Sequence, residues 1–298
     1  MNNMDKLYEA VDERGHVCVG LDTAPDYIPE KERHAAASPA KAVLAYNMAL
    51  IDATIEAAAC FKVQIAYYEE MGLPGLETYS RTLKYLRERG ALVIADIKRG
   101  DIADTASHYA KAHFEGDFEA DFVTLTPYLG MDSVEPWLEW ADKKGKGAFV
   151  LMRTSNKGRH DFQLLEYGAK RKIYDAVGDK LSELAAARMG KHGYGAFGVV
   201  VGADPQSPAE REEAAAIRAE RSNLFFLIPG YGAQGGAASD AALLLREGNG
   251  GVVNASRSIL KAWQSADGSA DADNAFAGQA ARRAAIEMRD AILNAVKG

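Results

Sequence analysis

The stretch LVIADIKRGDIADTASH, residues 92–108, runs from an apolar, β-favouring segment straight into a dense group of charges. Side chains alternate between the two faces of a strand, so Asp96 and Lys98 share one face. The opposite face carries the apolar side chains of Val93 and Ile97, with an alanine between them. This segment therefore predicts a strand with one face buried against a helix and the other face ending in charge.

Seven further apolar runs of strand length occur along the chain, separated by helical patterns. The eight runs are HVCVGLDT (16–23), CFKVQIAY (60–67), ALVIADIK (91–98), DFVTLTP (121–127), GAFVLMRTS (147–155), GAFGVVVGA (195–203), LFFLIPG (224–230) and GGVVNAS (250–256). Strands that alternate with helices indicate βα units and a parallel sheet. Because eight such units in a chain a little longer than ~250 residues are typical of one fold, the sequence predicts an α/β protein with a (β/α)8 TIM barrel.

A doubly wound open sheet is the structural alternative. That fold opens a helix with GxGxxG after its first strand, whereas HVCVGLDTAPDYIPE (16–30) stands there in this chain. The barrel is therefore favoured. We expect residues 1–298 to form a single barrel domain with no boundary inside the barrel.

Helical patterns fill the intervals between the runs. The helix after the first run is expected to begin at Pro39, with Ser38 as its N-cap. Further helical patterns cover residues 76–90, 173–190, 207–220 and 240–248, and a C-terminal helix covers about 275–297. The stretch NKGRHDFQLLEYGAKRK (156–172), after the fifth run, predicts an elaborated loop that covers a site.

Composition argues against several classes of partner. The chain has 298 residues, a net charge of −7 and no Lys/Arg-rich tract, so a nucleic-acid partner is not expected. Neither a secretory signal in MNNMDKLYEAVDERG (1–15) nor an apolar stretch of about 18 residues is present, so we expect no membrane association. Cys18 and Cys60 lack the spacing of a metal site or redox motif. The predicted location is the cytoplasm.

The first two apolar runs also carry charged residues on the inward face, as the third run does. Parity places Asp22 and Lys62 on the same inward face as Asp96 and Lys98. Asp22, Asp96 and Lys98 also lie at the C-terminal ends of their runs, where barrel enzymes build their active sites. Together with Asp101 these residues form a set of alternating charge that needs no metal to balance it, although a structural salt-bridge network is the other interpretation.

Two loops at the end of the barrel suggest an anion site. LIPGYGAQGG (227–236) follows the seventh run and contains four glycines, which allow backbone N–H groups to approach an oxyanion closely. NASRSI (254–259) follows the eighth run, and Arg257 within it can make paired hydrogen bonds to a phosphate. Since the loops after strands seven and eight commonly hold phosphate in barrels, these two loops together predict a phosphorylated ligand.

These segments together resemble one family. DIKRGDIADT (96–105) is similar to the D-x-K-x-x-D signature of orotidine 5'-phosphate decarboxylases. The GLDT, FKVQ, PGYGAQGG and NASRSI segments also occur in the order of that family, so the resemblance extends over about residues 14–262. The more familiar form of the family has an apolar residue at the position of Arg99. The Arg-Gly pair at Arg99 and Gly100 resembles instead the second, bacterial subgroup.

The resemblance implies a metal-free decarboxylation of orotidine 5'-phosphate to uridine 5'-phosphate in de novo pyrimidine biosynthesis. In such an enzyme, Lys98 corresponds to the proton donor to C6 of the pyrimidine. Asp96 would sit beside the substrate carboxylate. By the same resemblance, Lys62 bridges the aspartates and a ribose hydroxyl, Asp22 contacts the ribose, and Arg257 takes the phosphate.

The resemblance also implies a homodimer with shared active sites. Asp101 and Thr105 correspond to residues that reach into the site of the neighbouring subunit. Ser155 and Gln234 would hold the pyrimidine and connect it to the phosphate. Thr126 faces inward by parity and is expected either to line the base or to be a plain hydroxyl of the barrel interior.

Two other functions remain open on the sequence. One is a Mg²⁺-dependent sugar-phosphate decarboxylase or synthase of the same superfamily, which resembles this chain in its D-x-K-x-x-D motif but has an acidic metal ligand where Lys62 stands here. The other is a non-catalytic nucleotide-binding barrel, which would need the phosphate loops but not the charge set. The chain has no motif for a cofactor that accepts electrons, so no cofactor and no metal are expected.

Overall fold

The computed structural model describes residues 2–169, 171–203, 205, 207–232 and 237–298. Within these ranges, eight parallel strands close a barrel, and each of the eight predicted runs supplies one of them. The barrel strands are β1 (Val17–Gly20), β2 (Cys60–Gln64), β3 (Val93–Arg99), β4 (Phe122–Leu125), β5 (Gly147–Arg153), β8 (Phe197–Val201), β9 (Phe226–Ile228) and β10 (Gly251–Ala255). The predicted (β/α)8 barrel is therefore confirmed.

The loop after β5 carries a small antiparallel ribbon of its own. Its strands are β6 (Glu166–Tyr167) and β7 (Arg171–Lys172). A 3-10 turn at Lys157–Asp161 precedes the ribbon. This is the elaborated loop that the sequence predicts.

Helices connect the strands and surround the barrel. They are α1 (Asn3–Arg14), α2 (Glu30–Ala35), α3 (Pro39–Thr54), α4 (Ala66–Glu69), α5 (Gly72–Glu88), α6 (Ala103–Phe114), α7 (Leu138–Lys144), α8 (Ile173–Ala186), α9 (Pro208–Glu220), α10 (Ala238–Ala242), α11 (Arg257–Leu260) and α12 (Asn274–Lys297). As predicted, α3 begins at Pro39, and the Ser38 hydroxyl accepts a hydrogen bond from the Lys41 N–H at 3.3 Å. Within the described residues, no helix combines the length and the apolar character needed to cross a bilayer.

The prediction of a helix over residues 240–248 is wrong for the second half of that segment. The helix α10 ends at Ala242, and a backbone bridge between Arg246 and Asn249 turns the chain into β10. Gly248 and Gly250 adopt φ angles of 81° and 77° in this turn, which glycine reaches without steric cost. The apolar pattern of this segment is helical in period, but the two glycines favour a turn.

The strand parity read from the sequence separates two packed layers. Val19 and Val63 belong to the layer between the strands and the surrounding helices. Cys18 and Ile94 belong to the layer inside the barrel, where they pack with residues of α1 such as Leu7. Because the barrel interior is filled from the N-terminal end, open space is left at the C-terminal ends of the strands.

Candidate active site

A cavity of about 630 Å³ opens at the C-terminal ends of the barrel strands. Six of the ten site residues predicted from the sequence line it. They are Asp22, Lys62, Asp96, Lys98, Ser155 and Arg257. The structure therefore brings together residues from five barrel strands and their following loops, at the end of the barrel where the fold places active sites.

Asp96 is the buried centre of the charged set. Its Oδ1 lies 2.6 Å from Lys98 Nζ and accepts a hydrogen bond from Thr124 Oγ1 at 2.8 Å. Its Oδ2 lies 2.8 Å from Lys62 Nζ and accepts from Gln64 Nε2 at 2.9 Å. Four donors from β2, β3 and β4 thus fix one carboxylate in position, and both of its oxygens are saturated with charge-assisted hydrogen bonds.

Lys62 links this centre to the first strand. Its Nζ lies 3.3 Å from Asp22 Oδ1, and Asp22 Oδ2 accepts a hydrogen bond from Ser256 Oγ at 2.9 Å. Gly20 makes this arrangement possible, because a Cβ at that position would lie 2.1 Å from Ser256 Oγ. The absence of a side chain at Gly20 therefore leaves room for Ser256, which directly follows β10.

Burial and charge act in opposite directions on the two innermost groups. Burial alone would raise the pKa of Asp96, but the ammonium groups of Lys62 and Lys98 outweigh it and hold that pKa well below its usual range. Burial alone would lower the pKa of Lys62, but the carboxylates of Asp22 and Asp96 outweigh it and raise that pKa. Both groups are therefore charged at neutral pH.

Lys98 differs from Lys62 in its access to the cavity. About half of the Lys98 side chain is exposed (47%), whereas the Lys62 side chain is 6% exposed. A substrate entering the cavity therefore meets the Lys98 ammonium, while Lys62 stays behind the carboxylates. This geometry suits Lys98 to proton transfer and Lys62 to electrostatic support.

The loop after β5 forms part of the cavity wall. Ser155, Asn156 and Gln163 all line the cavity. The Gln163 side chain folds back on the start of the loop, because its Oε1 accepts a hydrogen bond from the Thr154 N–H at 2.8 Å. The loop that the sequence predicts to cover a site therefore contributes to the cavity wall.

Three predicted residues lie outside the cavity of this chain. Asp101 follows β3, and its Oδ1 accepts a hydrogen bond from the Ile102 N–H at 2.8 Å. Thr105 is an exposed residue of α6. Thr126 lies beyond the end of β4 and close to Gly100, whereas Thr124, two residues earlier in β4, lines the cavity. Gln234 lies outside the described residues.

Further polar residues of the site were not assigned from the sequence. Gln64 and Thr124 bind Asp96, while Asn254 and Ser256 lie beside Asp22 in the cavity wall. Strand parity gave a signal for Gln64, Thr124 and Asn254, because each shares the inward face of its strand with an interior residue, whereas Ser256 lies one residue past the end of β10. Within the described ranges, no three His, Cys, Asp or Glu side chains come together in an arrangement suited to a metal ion.

Comparison with known proteins shows the family of the chain. The sequence profile of the orotidine 5'-phosphate decarboxylase / HUMPS family matches residues 15–271. The chain is 54% identical over 292 residues to the orotidine 5'-phosphate decarboxylase of Clostridium perfringens, and the match covers 98% of both proteins. It is 51% identical over 289 residues to the enzyme of the same name from Clostridium acetobutylicum, covering 97% of this chain and 98% of the relative.

A solved structure gives the same result. The fold resembles that of Leishmania donovani OMP decarboxylase with a TM-score of 0.77, at 31% sequence identity and with full coverage of both chains. The chain belongs to the orotidine 5'-phosphate decarboxylase / HUMPS family.

Proposed function

We propose that this chain decarboxylates orotidine 5'-phosphate to uridine 5'-phosphate in de novo pyrimidine biosynthesis. The observation that carries the proposal is the buried Asp96 carboxylate with two lysines on it, one enclosed and one facing an open cavity. The names of the relatives, which match along nearly the whole chain, support the same reaction.

The reaction needs stabilisation of a carbanion. Breaking the bond between C6 and the carboxylate releases CO2 and leaves the electron pair in an sp2 orbital at C6, where the ring delocalises it poorly. Lys98 presents its ammonium to the cavity with the charge already fixed by Asp96, so it stabilises the developing negative charge and then donates a proton to C6. The neutral amine regains its proton from solvent after the product forms.

The other charged residues position the substrate in this proposal. Asp96 lies beside the departing carboxylate. Lys62 and Asp22, 3.3 Å apart, hold the ribose hydroxyls at the next position along the cavity. Because these side chains are bound to each other before substrate arrives, little reorganisation is needed when charge develops.

The remaining part of the cavity wall binds the phosphate and contacts the pyrimidine. Arg257 lines the cavity next to the loop that follows β9, of which Gly230 and Tyr231 also form part of the wall. We assign the phosphate to Arg257, and the pyrimidine to Ser155 and Gln234. Binding energy from the phosphate would close these loops over the base and exclude water from C6.

We further propose that the functional unit is a homodimer with shared sites. Asp101 and Thr105 lie outside the cavity of their own chain, beyond the end of β3, as residues that complete a partner's site would. The neighbouring Ile102 is more than half exposed, and so are Tyr128 and Leu129 after β4. A second copy of the chain would bury these side chains.

The domain organisation and the cellular location complete the proposal. Packing of α12 on α3, where Gly278 meets the backbone of Ala49, supports a single domain that includes the C-terminal helix. Two unpaired cysteines, Cys18 and Cys60, support a reducing compartment and hence the cytoplasm.

The test is an absorbance assay with purified protein and orotidine 5'-phosphate in EDTA. We expect substrate loss with formation of uridine 5'-phosphate. No turnover of orotidine 5'-phosphate, together with Mg²⁺-dependent turnover of a sugar phosphate, would favour the metal-dependent sugar-phosphate reaction. Tight uridine 5'-phosphate binding without turnover would favour a binding barrel.

A further inference from the structure

The backbone at the end of β3 departs from a regular strand. Ala95 pairs with Val123, and Arg99 pairs with Leu125, so four steps along β3 correspond to two steps along β4. Lys98 sits inside this irregularity with a φ angle of 44°, in the left-handed region that a residue with a side chain rarely adopts. Such a conformation persists only where the surroundings hold it in place.

The Thr124 hydroxyl holds this segment. Its Oγ1 accepts hydrogen bonds from the N–H groups of Ile97 and Lys98, both at 3.0 Å. These two donors lie where the ladder to β4 is interrupted, so they need another acceptor. Thr124 is 1% exposed, which leaves no room for bulk water to take its place.

The same hydroxyl has one defined position for its proton. A hydroxyl offers two acceptor lone pairs and one donor, and the two N–H groups use both lone pairs. The proton therefore points to the remaining neighbour, Asp96 Oδ1 at 2.8 Å, which is the oxygen that also binds Lys98 Nζ. One side chain thus fixes the backbone of Lys98 and the carboxylate that holds its ammonium.

We propose that Thr124 is a positioning residue for proton transfer, which sets the location of the Lys98 ammonium through the Lys98 backbone and Asp96. This inference rests on the proposed function of Lys98 as the proton donor. The role predicts an effect on kcat rather than on substrate affinity, because the ribose and phosphate contacts of Asp22 and Arg257 do not pass through Thr124.

The test compares Thr124→Val with Thr124→Ser. Valine keeps the shape but loses the hydroxyl, whereas serine keeps the hydroxyl. We expect kcat to fall about 10- to 100-fold in Thr124→Val, the range for loss of a hydrogen bond to a charged group, with KM and the Kd for uridine 5'-phosphate within about 3-fold of wild type. Thr124→Ser should recover most of kcat.

Two further variants control for folding. Thr54→Val removes another buried hydroxyl, which donates to the Leu50 carbonyl within α3, and should leave kcat unchanged. If Thr124→Val does not fold, Thr124→Cys replaces it, since a thiol is a weak acceptor.

Three results would each overturn the proposal. They are a wild-type kcat in the folded Val or Cys variant, no recovery of kcat with serine, and weakening of uridine 5'-phosphate binding by the same factor as kcat. Absence of turnover by the wild type would instead overturn the proposed function.

Discussion

Asp96 receives hydrogen bonds from side chains on β2, β3 and β4, and this convergence follows from simple alternation along the strands. Parity predicted the inward faces of Asp22, Lys62, Asp96 and Lys98, and all four line the cavity. Thr126, one residue past the end of β4 at Leu125, does not line the cavity, although Asp22, two residues past the end of β1 at Gly20, does. Parity was therefore reliable inside the strands, and past their ends it held for one residue and not for the other.

The buried charge at Asp96 makes a prediction about stability. Asp96→Asn leaves the Lys62 ammonium buried without its nearest carboxylate, so we expect the free energy of unfolding at pH 7 to fall by about 3–5 kcal/mol. The pKa of Asp96 is depressed on folding, so its stabilisation is present above the unfolded pKa of about 3.9 and is lost as pH falls through the folded pKa.

Urea unfolding of wild type and Asp96→Asn between pH 7 and pH 2 measures this effect. The gap between the two proteins should narrow below about pH 4. Asp117→Asn, an exposed carboxylate after α6, is the matched control and should show little change. A gap that stays constant down to pH 2 would contradict the assigned charge state.

Arg257 provides a second prediction at the residue scale. Arg257→Ala removes the proposed phosphate contact, so kcat/KM for orotidine 5'-phosphate should fall about 10- to 100-fold although no bond changes there. Steady-state kinetics measure this, with Arg283→Ala on the exposed face of α12 as the control for loss of a positive charge. Unchanged kcat/KM in Arg257→Ala would refute the phosphate assignment.

At the scale of elements, the hydrophobic runs predicted the positions of the strands better than they predicted the backbone conformation at the strand ends. The kink in β3 that gives Lys98 its positive φ leaves no mark in the sequence, because it depends on the Thr124 hydroxyl of another strand. The helices α1, α2, α4, α6 and α7 were not predicted. For α6, the charged segment at its start masked the helical pattern that follows.

The helix α6 carries a titration that can be tested. His113 is buried beneath Phe118, and burial, with a smaller contribution from Arg99, lowers the pKa of its imidazole to about 4. The folded state therefore keeps His113 neutral at pH values where the unfolded chain, with a pKa of about 6.5, takes up a proton. Stability should fall as pH drops through 6.5 toward 4.

Urea unfolding at pH 7 and pH 5 should isolate this contribution. We expect the wild type to lose about 2 kcal/mol more than His113→Gln over this interval. His108→Gln, on the exposed side of the same helix, should lose as much as wild type. Equal pH dependence in His113→Gln and wild type would contradict the neutral buried imidazole.

At the scale of the whole molecule, the barrel was predictable because eight apolar runs alternate with helices. The position of the site was predictable because the C-terminal ends of parallel strands all lie on one side of the barrel. Subunit assembly follows no such rule. Asp101 and Thr105 belong to the signature by resemblance, yet they lie outside the cavity of their own chain. The role proposed for them depends on a second copy of the chain.

Subunit complementation tests the shared sites. In a heterodimer of Lys98→Ala and Asp101→Ala chains, one site carries both lesions and the other carries neither. Because a symmetric dimer forms from random pairing, co-expression of the two inactive variants should restore about a quarter of wild-type activity. Either variant expressed alone is the control. No recovery in purified heterodimers would contradict sharing of Asp101 across subunits.

The central claim is that the Lys98 ammonium, held by Asp96, stabilises charge at C6 and supplies the proton. The most direct measurement is kcat for orotidine 5'-phosphate with Lys98→Ala in EDTA, alongside calorimetric binding of uridine 5'-phosphate and an exposed-lysine control, Lys180→Ala. We predict that kcat falls by at least about 1000-fold in Lys98→Ala while the nucleotide still binds, and that Lys180→Ala behaves as wild type. A Lys98→Ala enzyme that turns over within about tenfold of wild type would contradict the account.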